Sequence, residues 1–254
     1  MKKKLIFVLG FFTLVMNVFG QGNALKMKSI PGKNIKMLET EVSENLYRRV
    51  MGELPTFMSE ATMIGEDKDS RPVCAVGFYE AIVFCNKLSE LSGLKPVYSF
   101  NGSTNVETWK FSIHKAEYLT GMIMVKKNAN GYRLPTVEEW QYAANGGETN
   151  LYSGSNNIDD VAWYSENSES KVHQVALKKP NEYGLYDMTG NVSEWCWDWP
   201  MNREVFTEDM SEFVPTLGGS FKSKETACMT KKVKKSLINF TSNQIGFRVV
   251  CLDK

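Results

Sequence analysis

Three tryptophans alternate with other residues in one short stretch, "GLYDMTGNVSEWCWDWP", which covers residues 184–200. Trp195, Trp197 and Trp199 are separated by Cys196 and Asp198. In an extended strand, alternate residues point to the same face, so the three indoles share one side. Each buried aromatic ring removes about 150–250 Å² from water. The stretch therefore predicts a strand anchored in a core, which the rest of the chain must surround with apolar residues.

The turn before these tryptophans has a different chemistry. Asp187 and Glu194 flank Gly190 and Asn191, and a turn that contains glycine can direct successive carbonyls at one point. Carboxylates and carbonyls are the oxygen ligands of Ca²⁺, which takes about six to eight of them at roughly 2.3–2.6 Å. The spacing leaves two interpretations open, a calcium site and a purely structural turn.

Three helices are predicted from periodicity and capping signals. "EVSENLYRRVMG" has Ser43 at the N-cap and Gly52 past its end. "GFYEAIVFCNKLSELSG" buries a face at helical spacing and stops at Gly93, and "RLPTVEEWQYAANGG" carries the Thr136 and Glu139 of a capping box. The inner positions are Leu46, Tyr47, Val50 and Met51 in the first helix, Phe78, Ile82, Cys85 and Leu88 in the second, and Trp140 and Ala144 in the third, which Gly146 ends.

Between the helices lie short apolar runs broken by Gly, Asn, Ser and Pro. With 254 residues, 43% hydrophobic and 23% charged, and no repeat or linker, the chain is predicted to be one globular domain. We expect an α+β fold with few helices, short strands and a large share of loops.

The first residues are typical of a secretory signal peptide. Three lysines precede an apolar run from Leu5 to about Phe19, which is shorter than the roughly 20 residues that span a bilayer. We predict a signal peptide over 1–20 with cleavage after Gly20, the alternative being after Ala24, and no cysteine follows that could carry a lipid. An exported chain, periplasmic or extracellular, without stable membrane insertion after cleavage, is expected.

Removing the three lysines takes the formal charge from +1 to about −2, with 27 basic and 29 acidic residues left. This balance does not favour nucleic-acid binding.

All five cysteines, at 74, 85, 196, 228 and 251, follow the predicted signal peptide, so at least one has no partner within the chain. Their spacing contains no CxxC, and with His114 and His173 as the only histidines a zinc site is not expected. Cys85 is interpreted as a small buried hydrophobe. The spacing does not decide which cysteines pair.

Four stretches in fixed order resemble the formylglycine-generating enzyme domain, also called the sulfatase-modifying factor domain. They are "RLPTVEEWQYAANGG", "NEYGLYDMTGNVSEWCWDW", "LGGSF" and "IGFRVV", and "ETEVSENLYRRVMG" and "RPVCAVGFYEAIVFCNKLSELSGLKPVYSF" resemble the first half of that domain. The resemblance implies a variant of the C-type-lectin-like fold over 36–254, with 21–35 as an N-terminal extension. Its members include copper-dependent oxidases that make formylglycine from a sulfatase cysteine, iron-dependent sulfoxide synthases, and non-enzymatic ligand-binding proteins.

For calcium, the resemblance implies a ligand set of Asp187, the backbone carbonyls of Gly190 and Val192, and Glu194. Ser193 stands where the family usually has tryptophan, which removes an indole but no ligand.

For activity, the resemblance implies two cysteines at the third and eighth positions after the "GGS" serine, which hold Cu(I). Here the eighth position is Cys228 but the third is Ser223, and Leu217 replaces the usual arginine before "GGS". Cu(I) prefers thiolates, and a serine hydroxyl is a weak, hard donor, so we do not expect copper. Cys228 is then a structural thiol or half of a disulfide. The two histidines cannot supply the three imidazoles of an iron site.

The same loop is rich in lysine, at positions 222, 224, 231, 232, 234 and 235. Such a run is usually a solvated surface. In this fold, however, the loop borders the ligand groove, so Lys222, Lys224, Lys231 and Lys232 are candidates for binding a protein, an acidic peptide or an anionic glycan.

The sequence leaves two hypotheses for the function of the protein. One is a monomeric, non-catalytic binding or accessory module, and the other is a copper-dependent oxidoreductase that generates formylglycine.

Overall fold

The computed structural model describes residues 25–55, 67–110, 121–198, 203–205 and 213–253. The predictions for the signal peptide, His114 and Trp199 lie outside the described residues. Within them, no helix has the length and apolar character needed to cross a bilayer.

The three predicted helices are confirmed. α1 spans Glu44–Met51, with the Ser43 hydroxyl accepting from the Leu46 N–H and Gly52 in the left-handed conformation. α2 spans Phe78–Leu91, and α3 spans Val137–Asn145 with the Thr136 and Glu139 capping box formed. A short helix that the sequence analysis did not predict, α4, spans Ile158–Val161.

Ten short strands form three sheets in the described part of the chain. The strands are β1 Met27–Ser29, β2 Ile35–Leu38, β3 Tyr98–Phe100, β4 Gly121–Val125, β5 Ser193–Trp195, β6 Arg203–Val205, β7 Phe213–Leu217, β8 Lys234–Leu237, β9 Ile245–Gly246 and β10 Val250–Leu252. The sheets have the orders β1-β2-β10, β3-β4-β6 and β8-β7-β5-β9. This mixture of helices and short strands confirms the predicted α+β class.

The first sheet joins the two ends of the described chain. β2 pairs antiparallel with β1 on one side and with β10 on the other, with Ile35 opposite Leu252. Residues 27–29, which belong to the segment interpreted as an N-terminal extension, are therefore part of this sheet.

Two of the three tryptophans lie in the main core as predicted. Trp195 and Trp197 both pack on Phe78 of α2, with ring centroids 5.8 and 5.9 Å away. Cys196 points to the other side, into a second cluster that contains Trp140. Residues 195–197 thus contact two hydrophobic clusters in alternation. Of these three residues, only Trp195 belongs to β5.

Candidate functional site

The turn at Gly190 and Asn191, here called the GN loop, is held against Trp163. Gly190 has φ 79°, and a Cβ there would lie 2.2 Å from the Trp163 carbonyl oxygen. The next N–H, that of Asn191, donates to the same carbonyl at 2.8 Å. A larger residue at Gly190 would therefore displace the loop.

Glu194, just after the GN loop, forms a buried ion pair. Arg248 donates to both of its carboxylate oxygens at 2.7 Å, and the Trp140 indole N–H donates to Oε2 at 2.7 Å. Both charged side chains are fully buried. This arrangement ties α3, β5 and the segment before β10 to one carboxylate.

A second carboxylate, which the sequence analysis missed, supports the loop from behind. Glu41 accepts from the Val192 N–H at 3.0 Å and from the Asn191 side chain at 2.9 Å. Burial raises the pKa of Glu41 well above its usual range, and repulsion from Asp187 adds to the rise. Asp187 accepts from the Ala176 N–H at 2.7 Å, and burial raises its pKa to about 6.

The implied calcium ligands fit an ion only in part. Asp187 accepts one hydrogen bond among the described residues, but both oxygens of Glu194 are occupied by Arg248 and Trp140. Since Ca²⁺ needs about six to eight oxygens, an ion at this loop would have to share Glu194 with these donors. Calcium binding stays a prediction.

The serine that replaces the first copper cysteine lies in a turn of neutral hydroxyls. The Ser223 hydroxyl accepts from the Ser220 N–H at 2.9 Å and lies 3.1 Å from the Ser220 hydroxyl. Ser220 in turn donates to Gln244 at 3.0 Å. Because no charged side chain takes part in these contacts, nothing in them favours ionisation of Ser223.

Cys228 is a buried, protonated thiol. It packs with Tyr152, Ile158, Val161, Ala162 and Tyr164, and burial raises its pKa to about 12. Neither Cys196 nor Cys251 belongs to this cluster, and all five cysteines are free. Cys228 is a free thiol in this structure, and its interpretation as a structural thiol or half of a disulfide stays a prediction.

The predicted groove lysines are exposed. Lys222, Lys224, Lys231 and Lys232 lie on the surface, as do Lys234 and Lys235 of β8. No ion pair links any of the six to another described residue, and Lys222 alone approaches an aromatic ring, that of Phe221 at 5.5 Å. Leu151, which is 51% exposed, lies beside this loop because its carbonyl accepts from the Thr230 N–H.

One cavity of about 360 Å³ lies away from these lysines, between the end of β2, the start of α1 and residues 175–176. Its lining includes Glu41 and Ala176, so it borders the contacts that hold the GN loop.

Comparison with protein families supplies the decisive observation. The model of the sulfatase-modifying factor enzyme 1-like domain matches residues 10–252. The chain belongs to this family.

Relatives of the sulfatase-modifying factor family differ in their names. The chain is 35% identical over 215 residues to the chaperone protein LppX of Paenibacillus barcinonensis, covering 74% of this chain and 73% of LppX. It is 40% identical over 135 residues to the inactive C-alpha-formylglycine-generating enzyme 2 of Mus musculus, covering 46% of this chain and 42% of that protein. The solved structure of Treponema denticola variable protein 1 is 32% identical with a TM-score of 0.74, and the match covers 90% of this chain and 91% of that one.

Membership in the sulfatase-modifying factor family confirms the resemblance and the fold, but it does not fix an activity. Relatives named as a chaperone, as an inactive enzyme and as a variable protein share the fold. The function therefore has to be argued from the side chains of the site.

Proposed function

We propose that the protein is a non-catalytic, exported member of the family that works as a binding or accessory module. The observation that carries this proposal is the pair of residues at the copper positions, a neutral serine at 223 and a buried thiol at 228.

The single cysteine of this pair opposes copper chemistry. Cu(I) is bound by thiolates, and a site with one sulfur provides neither the affinity nor the two-sulfur geometry of the family's oxidases. Cys228 is the one cysteine of its cluster in the described part of the chain, since the other four lie in other clusters.

The relatives support an accessory role. LppX is named a chaperone, and the mammalian relative is named an inactive enzyme. Both names are consistent with a fold that persists without the oxidase reaction. The lysine-rich, apolar start of the sequence supports export.

The partner that we propose is anionic. Six exposed lysines without ion pairs among the described residues give the loop after "GGS" a positive surface, and such a surface attracts acidic peptides or anionic glycans. Since these charges are solvated, the attraction should weaken as salt is added.

The test is to incubate the mature protein with Cu(I) and a cysteine-containing sulfatase-motif peptide, and to measure aldehyde by mass spectrometry. We expect none from the parent protein. Ser223→Cys restores the spacing of the two cysteines and should gain Cu(I) affinity, while the matched control Ser223→Ala should not. Tight Cu(I) binding and peptide oxidation by the parent protein would show that it is an oxidase.

A further inference from the structure

β8 forms an edge of its sheet in the described part of the chain. The position of Pro215 in β7 shows which backbone groups of β8 face away from the sheet. β8 pairs only with β7, with Pro215 opposite Lys235 and Thr216 opposite Lys234. The Pro215 carbonyl accepts from the Cys196 N–H, so Pro215 faces β5 and its neighbours face β8. In an antiparallel ladder, Lys234 and Ser236 therefore bond to β7, and Lys235 directs its N–H and C=O away from the sheet.

One face of the β7–β8 pair carries apolar side chains together with Lys235. Because Phe213 pairs with Leu237 and Pro215 with Lys235, these four side chains lie on one face. Phe213 is 57% exposed, and Phe240, whose N–H donates to the Leu237 carbonyl, is 43% exposed. The opposite face, with Val214, Thr216 and Ser236, is buried.

The same edge is positively charged. Lys234 and Lys235 are exposed, and Lys231 and Lys232 come directly before the strand. Lysine on an edge strand commonly prevents pairing between copies of a protein, since like charges repel. The same charges permit pairing with a strand of opposite charge.

We propose that the β8 edge binds an extended, acidic segment of a partner protein, which adds a strand beside Lys235. This proposal rests on the binding role proposed above and names the chemical class of the partner. Strand addition uses main-chain hydrogen bonds for affinity and side chains for specificity. A polypeptide is favoured over a lipid surface because only a polypeptide can pair with the outward N–H and C=O of Lys235.

The first experiment measures the binding of a fluorescent peptide with alternating Glu and Val by anisotropy, using the mature protein. Binding should weaken with salt, and a peptide with alternating Lys and Val should not bind. An N-methylated Glu and Val peptide keeps the charges but cannot pair its backbone. We expect it to bind about tenfold more weakly, since two ordinary hydrogen bonds are lost. Equal binding of both acidic peptides, or of neither, would overturn the proposal.

The second experiment uses a matched pair of variants at one position. Lys235→Gln removes the charge and keeps the backbone N–H. Lys235→Pro removes the charge and also the outward N–H, and it breaks no hydrogen bond to β7 because that N–H makes none. Lys235→Pro should bind the peptide several-fold more weakly than Lys235→Gln, with melting temperatures checked for both. Equal affinity of two folded variants would contradict strand addition.

A third measurement separates the sources of negative charge. Flotation with vesicles of phosphatidylcholine and phosphatidylglycerol should leave the protein unbound at physiological salt. Vesicle binding without peptide binding would assign the surface to a membrane instead. None of these readouts depends on copper, so their failure leaves the non-catalytic role standing, and aldehyde formation would refute that role whatever the peptide does.

Discussion

The buried pair of Arg248 and Glu194 gives the strongest prediction for stability. Both side chains are fully buried, and Arg248 also donates to the Tyr186 carbonyl at 2.8 Å. Arg248→Met removes the charge and keeps an unbranched side chain of moderate length. Glu194 would then stay buried, with the Trp140 indole N–H as its remaining donor among the hydrogen bonds described above.

The expected loss of stability follows from the buried Glu194 carboxylate, which remains without its charged partner. Removing one partner of a buried ion pair costs about 3–5 kcal/mol of the free energy of unfolding. We expect the upper part of this range, because Arg248 also attracts the buried carboxylates Glu41 and Asp187. Total stability is typically about 5–15 kcal/mol, so the variant should be close to unfolding at moderate temperature.

Urea denaturation followed by tryptophan fluorescence and circular dichroism measures this loss, and a constant slope shows that unfolding stays two-state. The matched control is Arg48→Met, since Arg48 pairs with Asp69 at 2.9 Å on the surface and should cost about 0–1 kcal/mol. The double variant Arg248→Met, Glu194→Gln should recover part of the loss. If Arg248→Met is no more destabilising than Arg48→Met, the pair does not stabilise the site.

Four further predictions concern ions, protons, thiols and export. If calcium binds at the GN loop, Ca²⁺ should raise the melting temperature above its value in EGTA, and Glu194→Gln should blunt the rise; identical curves would end this prediction. Burial raises the pKa of Glu80 to about 7 from an ordinary value of 4.5, so the native state keeps a proton that the unfolded state releases. Its contribution is full below about pH 4.5 and should be lost, on the order of 3 kcal/mol, as pH rises through about 7, and Glu80→Gln should flatten that part of the stability profile. Iodoacetamide should label all five cysteines in denaturant without reductant and label the native protein slowly, because every one is buried; fewer than five labels would reveal a disulfide. N-terminal sequencing of the exported protein should begin at or near Gln21, and a chain that still begins at Met1 would refute the signal peptide.

Local signals were enough to predict the helices, and distant partners were not predictable. Ser43, Thr136 and Gly146 act on residues a few positions away, so their sequence positions sufficed. Glu41 acts on residues 150 and 151 positions away, and no spacing rule connects them. One signal was present, since an arginine inside the apolar run "GFRVV" needs a buried partner if that run is in the core.

The sheet that joins β2 to β10 also sets the order of events in synthesis. Ile35 pairs with Leu252, so β1 and β2 cannot complete their sheet until residues 250–252 have been made. Pairing between such distant segments folds slowly, because a long loop must close first. Until β10 has been made, one edge of β2 therefore stays without its native partner, and its backbone groups are open to pairing with other strands during synthesis.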